Sequence, residues 1–115
     1  MLIEDNLNLG ESLVELLSLF KYEVILLNSF NAFLNYQTSL NTNDVVVSDF
    51  YLGDGTFKEV VGVLRDKNML RQTICITAAA EEQDLIFAKT HASNLLNKPF
   101  RIENLLSAIE LCKTT

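Results

Sequence analysis

The sequence predicts an α/β fold: a doubly wound, five-stranded parallel sheet with helices on both faces. Three observations carry that prediction. Short strand-like runs alternate with helix-period stretches five times along the chain, the pattern of consecutive β-α units. Two of the runs, Val45-Val46-Val47 and Thr73-Ile74-Cys75-Ile76-Thr77, are apolar or β-branched throughout, as suits strands covered on both faces. The chain has 115 residues, the length of one domain with a full core.

Each element has its own signal. Met1-Leu2-Ile3, closed by Glu4-Asp5-Asn6, predicts the first strand. Leu13, Leu16, Leu17 and Phe20 recur at i, i+3, i+4 and i+7, which predicts an amphipathic helix from about residue 7. Tyr22 to Leu27 reads as the second strand, and Ser29 or Asn28 as the cap of a helix carrying Phe30, Phe33, Leu34 and Gln37. Asn41-Thr42-Asn43-Asp44 is turn chemistry before the valine strand. After a Gly53-Asp54-Gly55 loop, Val60, Val61 and Leu64 mark the third helix, and Thr73–Thr77 is the fourth strand. Glu81-Glu82 opens the fourth helix with acidic residues where the helix dipole favours them. Asn94 to Asn97 is the fifth strand, and Ile102, Leu105, Leu106 and Ile109 give the last helix. Right-handed crossovers close each unit.

Hydrophobic residues at 49% and charged residues at 21% are an ordinary globular balance with no disordered tail. A formal net charge of -6 argues against a nucleic-acid surface, because phosphate backbones need a basic face. No apolar run approaches the roughly 20 residues of a membrane span, and the acidic start is unlike a signal peptide. Cys75 and Cys112 fit neither a zinc site nor a disulfide framework, and with these signs the expected location is cytoplasmic.

Four of the five strands end in a residue with charge or reactivity. Glu4 and Asp5 follow the first, Asp49 the third, Thr77 the fourth and Lys98 the fifth. In a parallel sheet these ends share one edge, where ligands of open α/β sheets bind. Three carboxylates brought together repel and do not all stay ionised without positive charge nearby. Lys98 supplies one charge and a hard divalent cation supplies more; Mg²⁺ takes one or two carboxylates, waters and a phosphate oxygen. The edge therefore suits a metal beside a phosphoryl group. Taken singly, Asp5 is a helix cap, Asp49 a turn residue, Thr77 a strand residue and Lys98 a solvated charge. Together they ask for more.

Glu4-Asp5, Asp49, Thr77 followed by Ala78, and Lys98-Pro99-Phe100 stand in the order and spacing of the receiver domain of two-component response regulators. The chain resembles that family over its whole length, with residues 1–115 as one receiver domain. The resemblance implies a flavodoxin-like sheet of strand order 2-1-3-4-5. It implies that Asp49 is the nucleophile, taking a phosphoryl group from a phosphohistidine on a sensor histidine kinase or phosphotransfer protein. It also implies that Asp5, with Glu4 directly or through water, binds Mg²⁺ together with Asp49 and the backbone carbonyl of Tyr51. Lys98 pairs with one phosphoryl oxygen, and the Thr77 hydroxyl and Ala78 amide hold another. Phosphoryl transfer has a loose, in-line transition state, so positioning and charge neutralisation are most of what it needs. The acyl phosphate so formed is reactive and temporary, which makes this a signalling domain that acts on itself. A cis Lys98–Pro99 bond aiming the ammonium at Asp49 belongs to the same likeness. A homodimer through the fourth or fifth helix face is a further partner that it admits.

Some positions depart from the family pattern. Leu95 stands where receivers commonly carry Tyr or Phe, so switching is expected to rely on the Thr77 loop and the fourth helix, or to be weak. Gly53 replaces a common Pro, and Phe57 and His91 replace frequent glycines; His91 is read as a loop residue. Tyr51, two residues past Asp49, is at a position that tunes dephosphorylation, and its phenol is expected to slow hydrolysis. A receiver-like interaction module that signals without phosphorylation is the alternative. Leu95 and Gly53 favour it, whereas Asp49, Asp5, Thr77 and Lys98 oppose it. A phosphohydrolase of the haloacid dehalogenase type needs a second Asp where Tyr51 stands. A flavodoxin-like cofactor binder needs Gly, Ser or Thr where Glu4-Asp5-Asn6 stands. With no output domain in residues 1–115, the sequence is expected to be a single-domain regulator or a piece of a longer regulator or hybrid kinase.

Overall fold

The computed structural model of the chain describes residues 1–78 and 81–113, so the last two positions of the 1–115 span lie outside the described residues. Its strands are β1 (Leu2–Ile3), β2 (Leu26–Leu27), β3 (Val46–Asp49), β4 (Tyr51–Leu52), β5 (Gly55–Thr56), β6 (Thr73–Thr77) and β7 (Asn94–Asn97). Its helices are α1 (Leu7–Leu19), α2 (Phe30–Tyr36), α3 (Phe57–Asp66), α4 (Glu82–His91) and α5 (Ile102–Lys113). Five strands form one sheet in the order β2-β1-β3-β6-β7, with every neighbouring pair parallel. Leaving out β4 and β5, that order is 2-1-3-4-5, the doubly wound flavodoxin-like sheet that the sequence implies.

Alternation along the strands sorts the core into two layers. Val46 and Cys75 face one way and join Phe33, Phe57, Val60, Leu64 and Ala88, so α2, α3 and α4 cover that face. Val47, Ile74 and Ile76 face the other way and join Leu13, Leu17, Leu105 and Ile109 of α1 and α5. A strand with successive residues in opposite layers must be apolar at every position, which is why β3 and β6 are legible as continuous runs. Caps set the helix starts. The Asn6 side chain accepts from the Leu9 N–H, and Ser29 from the Ala32 N–H, while Thr56 and Glu59 form a reciprocal capping box.

The structure corrects three expectations and gives a fourth its form. The inward stripe of α1 is Gly10, Leu13 and Leu17; Leu16 is 39% exposed, and Phe20 lies past the last turn, 52% exposed. A Cβ on Gly10 would stand 2.9 Å from Leu26 Cδ1, so the helix approaches β2 along its Gly10 face and Leu16 turns outward. The second strand is shorter than the Tyr22–Leu27 run, because among the described residues it pairs with β1 alone, which offers just Leu2 and Ile3. His91 is the last residue of α4 rather than a loop residue. Its ring stacks on Phe87 with centroids 4.1 Å apart. The Gly53–Gly55 loop is a hairpin turn joining β4 to β5 as a two-stranded antiparallel ribbon directly after Asp49.

Candidate functional site

The carboxyl ends of β1, β3, β6 and β7 meet at one rim of the sheet. Glu4 follows β1 and is 1% exposed, its neighbour Asp5 faces solvent, and Asp49 is the last residue of β3. One carboxylate oxygen of each lies within 4.8 Å of the other two. Lys98 follows β7, and its ammonium donates to Glu4 Oε1 and Asp49 Oδ2, each at 3.1 Å. The backbone holds these side chains by continuing the sheet's bonding past the ladder. The Glu4 N–H donates to the Leu27 carbonyl (2.9 Å), Phe50 to Ile76 (2.8 Å) and Lys98 to Thr77 (2.7 Å). The Lys98–Pro99 peptide is cis, as the resemblance implies.

Burial and crowding set the electrostatics. Burial first, and then the Asp49 charge, push the Glu4 carboxyl above its ordinary range, with the Lys98 hydrogen bond acting against them. For Lys98 burial alone acts to lower the ammonium; the hydrogen bonds and charges of Glu4 and Asp49 outweigh it and hold the group above its ordinary value. Beneath the rim, burial and then the Asp49 charge hold the Cys75 thiol far above the usual range, so it is no nucleophile at neutral pH. Thr77 is 1% exposed, and its hydroxyl has no hydrogen-bond partner among the described residues. A buried hydroxyl without a partner costs free energy, so it marks a place where a ligand oxygen would be welcome. The donors at the rim are all oxygens, three of them carboxylate, which fits a hard cation such as Mg²⁺ or Ca²⁺ and not a thiolate or imidazole metal.

No protein-family model matches the chain, and no curated protein matches it in sequence. Solved structures do match. FixJ-N superposes with a TM-score of 0.86 at 24% identity, over 98% of this chain and 90% of that one. The non-phosphorylated HemR receiver domain from Leptospira biflexa does so at 0.80 and 26% identity, over 99% and 92%. A response regulator protein from Burkholderia pseudomallei, with a phosphorylated aspartic acid, a calcium ion and citrate, gives 0.80 at 22%, over 94% and 64%. The fold is that of a response-regulator receiver domain.

Around the receiver rim the β4–β5 ribbon is held from outside. A Cβ on Gly53 would stand 4.0 Å from Asp5 Oδ2, so the turn passes beside that carboxylate. Asp54 accepts from the Phe30 and Asn31 N–H groups, both at 2.8 Å, and so caps α2 from another part of the chain. Those bonds keep its carboxyl below the ordinary range. Gly55 is pressed against Phe30, where a Cβ would meet Phe30 Cβ at 3.2 Å. Sequence reasoning saw in Asp54 only a turn signal, because a cap donated across 24 residues has no local pattern. Asp84 likewise has no local sequence signal for its role. Its carboxylate accepts from the Tyr51 hydroxyl and pairs with Lys58 at 3.2 Å. Tyr51 itself is exposed, with its phenol tied to α4, and Ala78 stands exposed just past β6. Leu95, in register with Cys75 on β7, packs half-buried against the α2–α4 layer of the receiver core.

Proposed function

We propose that residues 1–115 form one phosphoacceptor receiver domain, in which Asp49 takes a phosphoryl group from a phosphohistidine of a sensor histidine kinase or phosphotransfer protein. An oxygen of the Asp49 carboxylate attacks phosphorus as the bond from phosphorus to the imidazole nitrogen breaks, and the imidazole keeps the electron pair. Lys98, already within hydrogen-bond reach of that carboxylate, holds the charge of one phosphoryl oxygen. The Thr77 hydroxyl and the Ala78 amide donate to another. Glu4, Asp5, Asp49 and the Tyr51 carbonyl would hold Mg²⁺, which when bound neutralises charge between the carboxylates and the phosphoryl oxygens. Water attacking phosphorus in line releases inorganic phosphate and restores Asp49. Domains of this fold serve as signalling modules of response regulators, and a phosphorylated aspartic acid in the Burkholderia pseudomallei protein supports the same chemistry here.

One observation carries the reading: the Lys98 ammonium stands 3.1 Å from Asp49 with two further carboxylates at the same rim. A docking module has no use for that crowding. The test is incubation with acetyl phosphate and Mg²⁺ followed by mass spectrometry. The parent is expected to gain one phosphoryl group, lost on standing, and neither Asp49→Asn nor an EDTA-treated sample is expected to gain it. A parent protein that gains none would refute the proposal in favour of an interaction module.

A further inference from the structure

Tyr51 opens the ribbon that follows Asp49, and its ring leans on Phe50 with centroids 4.8 Å apart. Its hydroxyl donates to Asp84 in the first turn of α4. Asp84 also pairs with Lys58 of α3 at 3.2 Å, and the Lys58 ammonium stands 5.8 Å from the Phe87 ring further along α4. Three side chains thus converge on the start of one helix. That helix is otherwise lightly held. Ala88 is its one fully buried residue, and Ile86 is 58% exposed. A helix with so little apolar burial belongs to the low-stability end of a structure, where a polar tie has a larger share in fixing position.

The helix so tied is the next element along the chain from Thr77. Thr77 is buried at the end of β6 with its hydroxyl unpartnered, and the next helix begins five residues on. Four residues of chain separate Thr77 from Glu82, so the places that Thr77 and the start of α4 can take are linked by connectivity. We propose that Tyr51, acting through Asp84, is a positioning residue that keeps the first turn of α4 in its resting place and so opposes engagement of Thr77 with a phosphoryl group on Asp49. The inference rests on the phosphoacceptor reading of Asp49. It assigns the aromatic control of this receiver to Tyr51, on the β3–α3 side of the rim, with Leu95 a packing residue.

Two variants test it. Tyr51→Phe removes the hydroxyl alone, and Asp84→Ala removes its acceptor. The first readout is amide hydrogen exchange in protein free of Mg²⁺ and phosphoryl donor. Each variant is expected to exchange about three- to ten-fold faster over residues 82–88 with β6 unchanged, and the double variant no faster than the faster single. The second readout is affinity for beryllofluoride with Mg²⁺, a phosphoryl mimic, which both variants are expected to bind tighter than the parent by a similar factor. Unchanged exchange, or unchanged or weaker beryllofluoride affinity in Tyr51→Phe, overturns the proposal. Where the parent binds beryllofluoride and takes up phosphate, that failure belongs to the tie alone. A parent that does neither removes the phosphoacceptor reading, and the proposed role of the tie goes with it whatever the exchange rates show.

Discussion

Asp5→Asn is the perturbation that best separates a metal site from a chance meeting of acids. Asp5 brings an oxygen within 4.8 Å of both Glu4 and Asp49, while the Lys98 ammonium bonds to those two and not to Asp5. Neutralising Asp5 therefore relieves two repulsions without breaking an ion pair. At that separation each repulsion is about 3.5 kcal/mol for an effective dielectric near 20, and about 0.9 kcal/mol for that of water. Asp5 faces solvent and is screened, so the lower figure applies, and the Lys98 ammonium bonded to both partners offsets one of the two charges, which leaves about 1 kcal/mol. Losing a negative charge just before α1 gives back about 0.5 kcal/mol of helix-dipole interaction. The variant is expected to be more stable than the parent by about 0.5 kcal/mol in EDTA, a rise of about 2 °C in melting temperature for a domain of this size. Adding millimolar Mg²⁺ is expected to reverse the ranking, because a cation that binds only the folded parent stabilises it by mass action. The assay is thermal unfolding by circular dichroism in EDTA and in MgCl₂. A variant no more stable than the parent in EDTA, together with a parent indifferent to Mg²⁺, would show that the three carboxylates do not form a strained cation site.

Two further predictions follow from buried and bridging groups. Thr77→Val replaces an unpartnered buried hydroxyl by a methyl of the same shape; it should raise stability by about 1 kcal/mol in urea titrations while weakening beryllofluoride affinity, whereas a loss of stability would mean that the hydroxyl has a partner. Asp54→Ala should lower the melting temperature at neutral pH, since two N–H groups of α2 lose their acceptor. The folded Asp54 carboxyl lies below its ordinary 3.8, so its contribution is present above that pH and is lost as pH falls through the folded value. Parent and variant melting curves should therefore converge in strong acid, and a gap that persists there would count against the cap.

Much of this receiver was legible because its signals are local. β3 and β6 appear as continuous apolar runs since both faces of those strands are covered, and period-2 alternation then places Val46 and Val47 in opposite layers. The rim was legible for a similar reason: parallel strands put their carboxyl ends on one edge, so chain direction alone brings Glu4, Asp5, Asp49 and Lys98 together. What failed depended on neighbours. The extent of the second strand was set by the two residues β1 offers, and the inward face of α1 by the close approach of Gly10 to Leu26. The ribbon after Asp49 depends on turn geometry that Gly53-Asp54-Gly55 signals without specifying its pairing.

By itself, then, the sequence determined the fold class and which side chains share one edge of the sheet, because those follow from periodicity and chain direction; the strand order came only with the likeness to receiver domains. Only the tertiary structure decided how they are balanced: that Glu4 is buried and bonded to Lys98 along with Asp49, that the Thr77 hydroxyl has no partner among the described residues, and that Asp54 ties the turn to α2 while Asp84 of α4 holds Tyr51. Burial, pairing and capping across the chain depend on which surfaces come together. No local pattern encodes that.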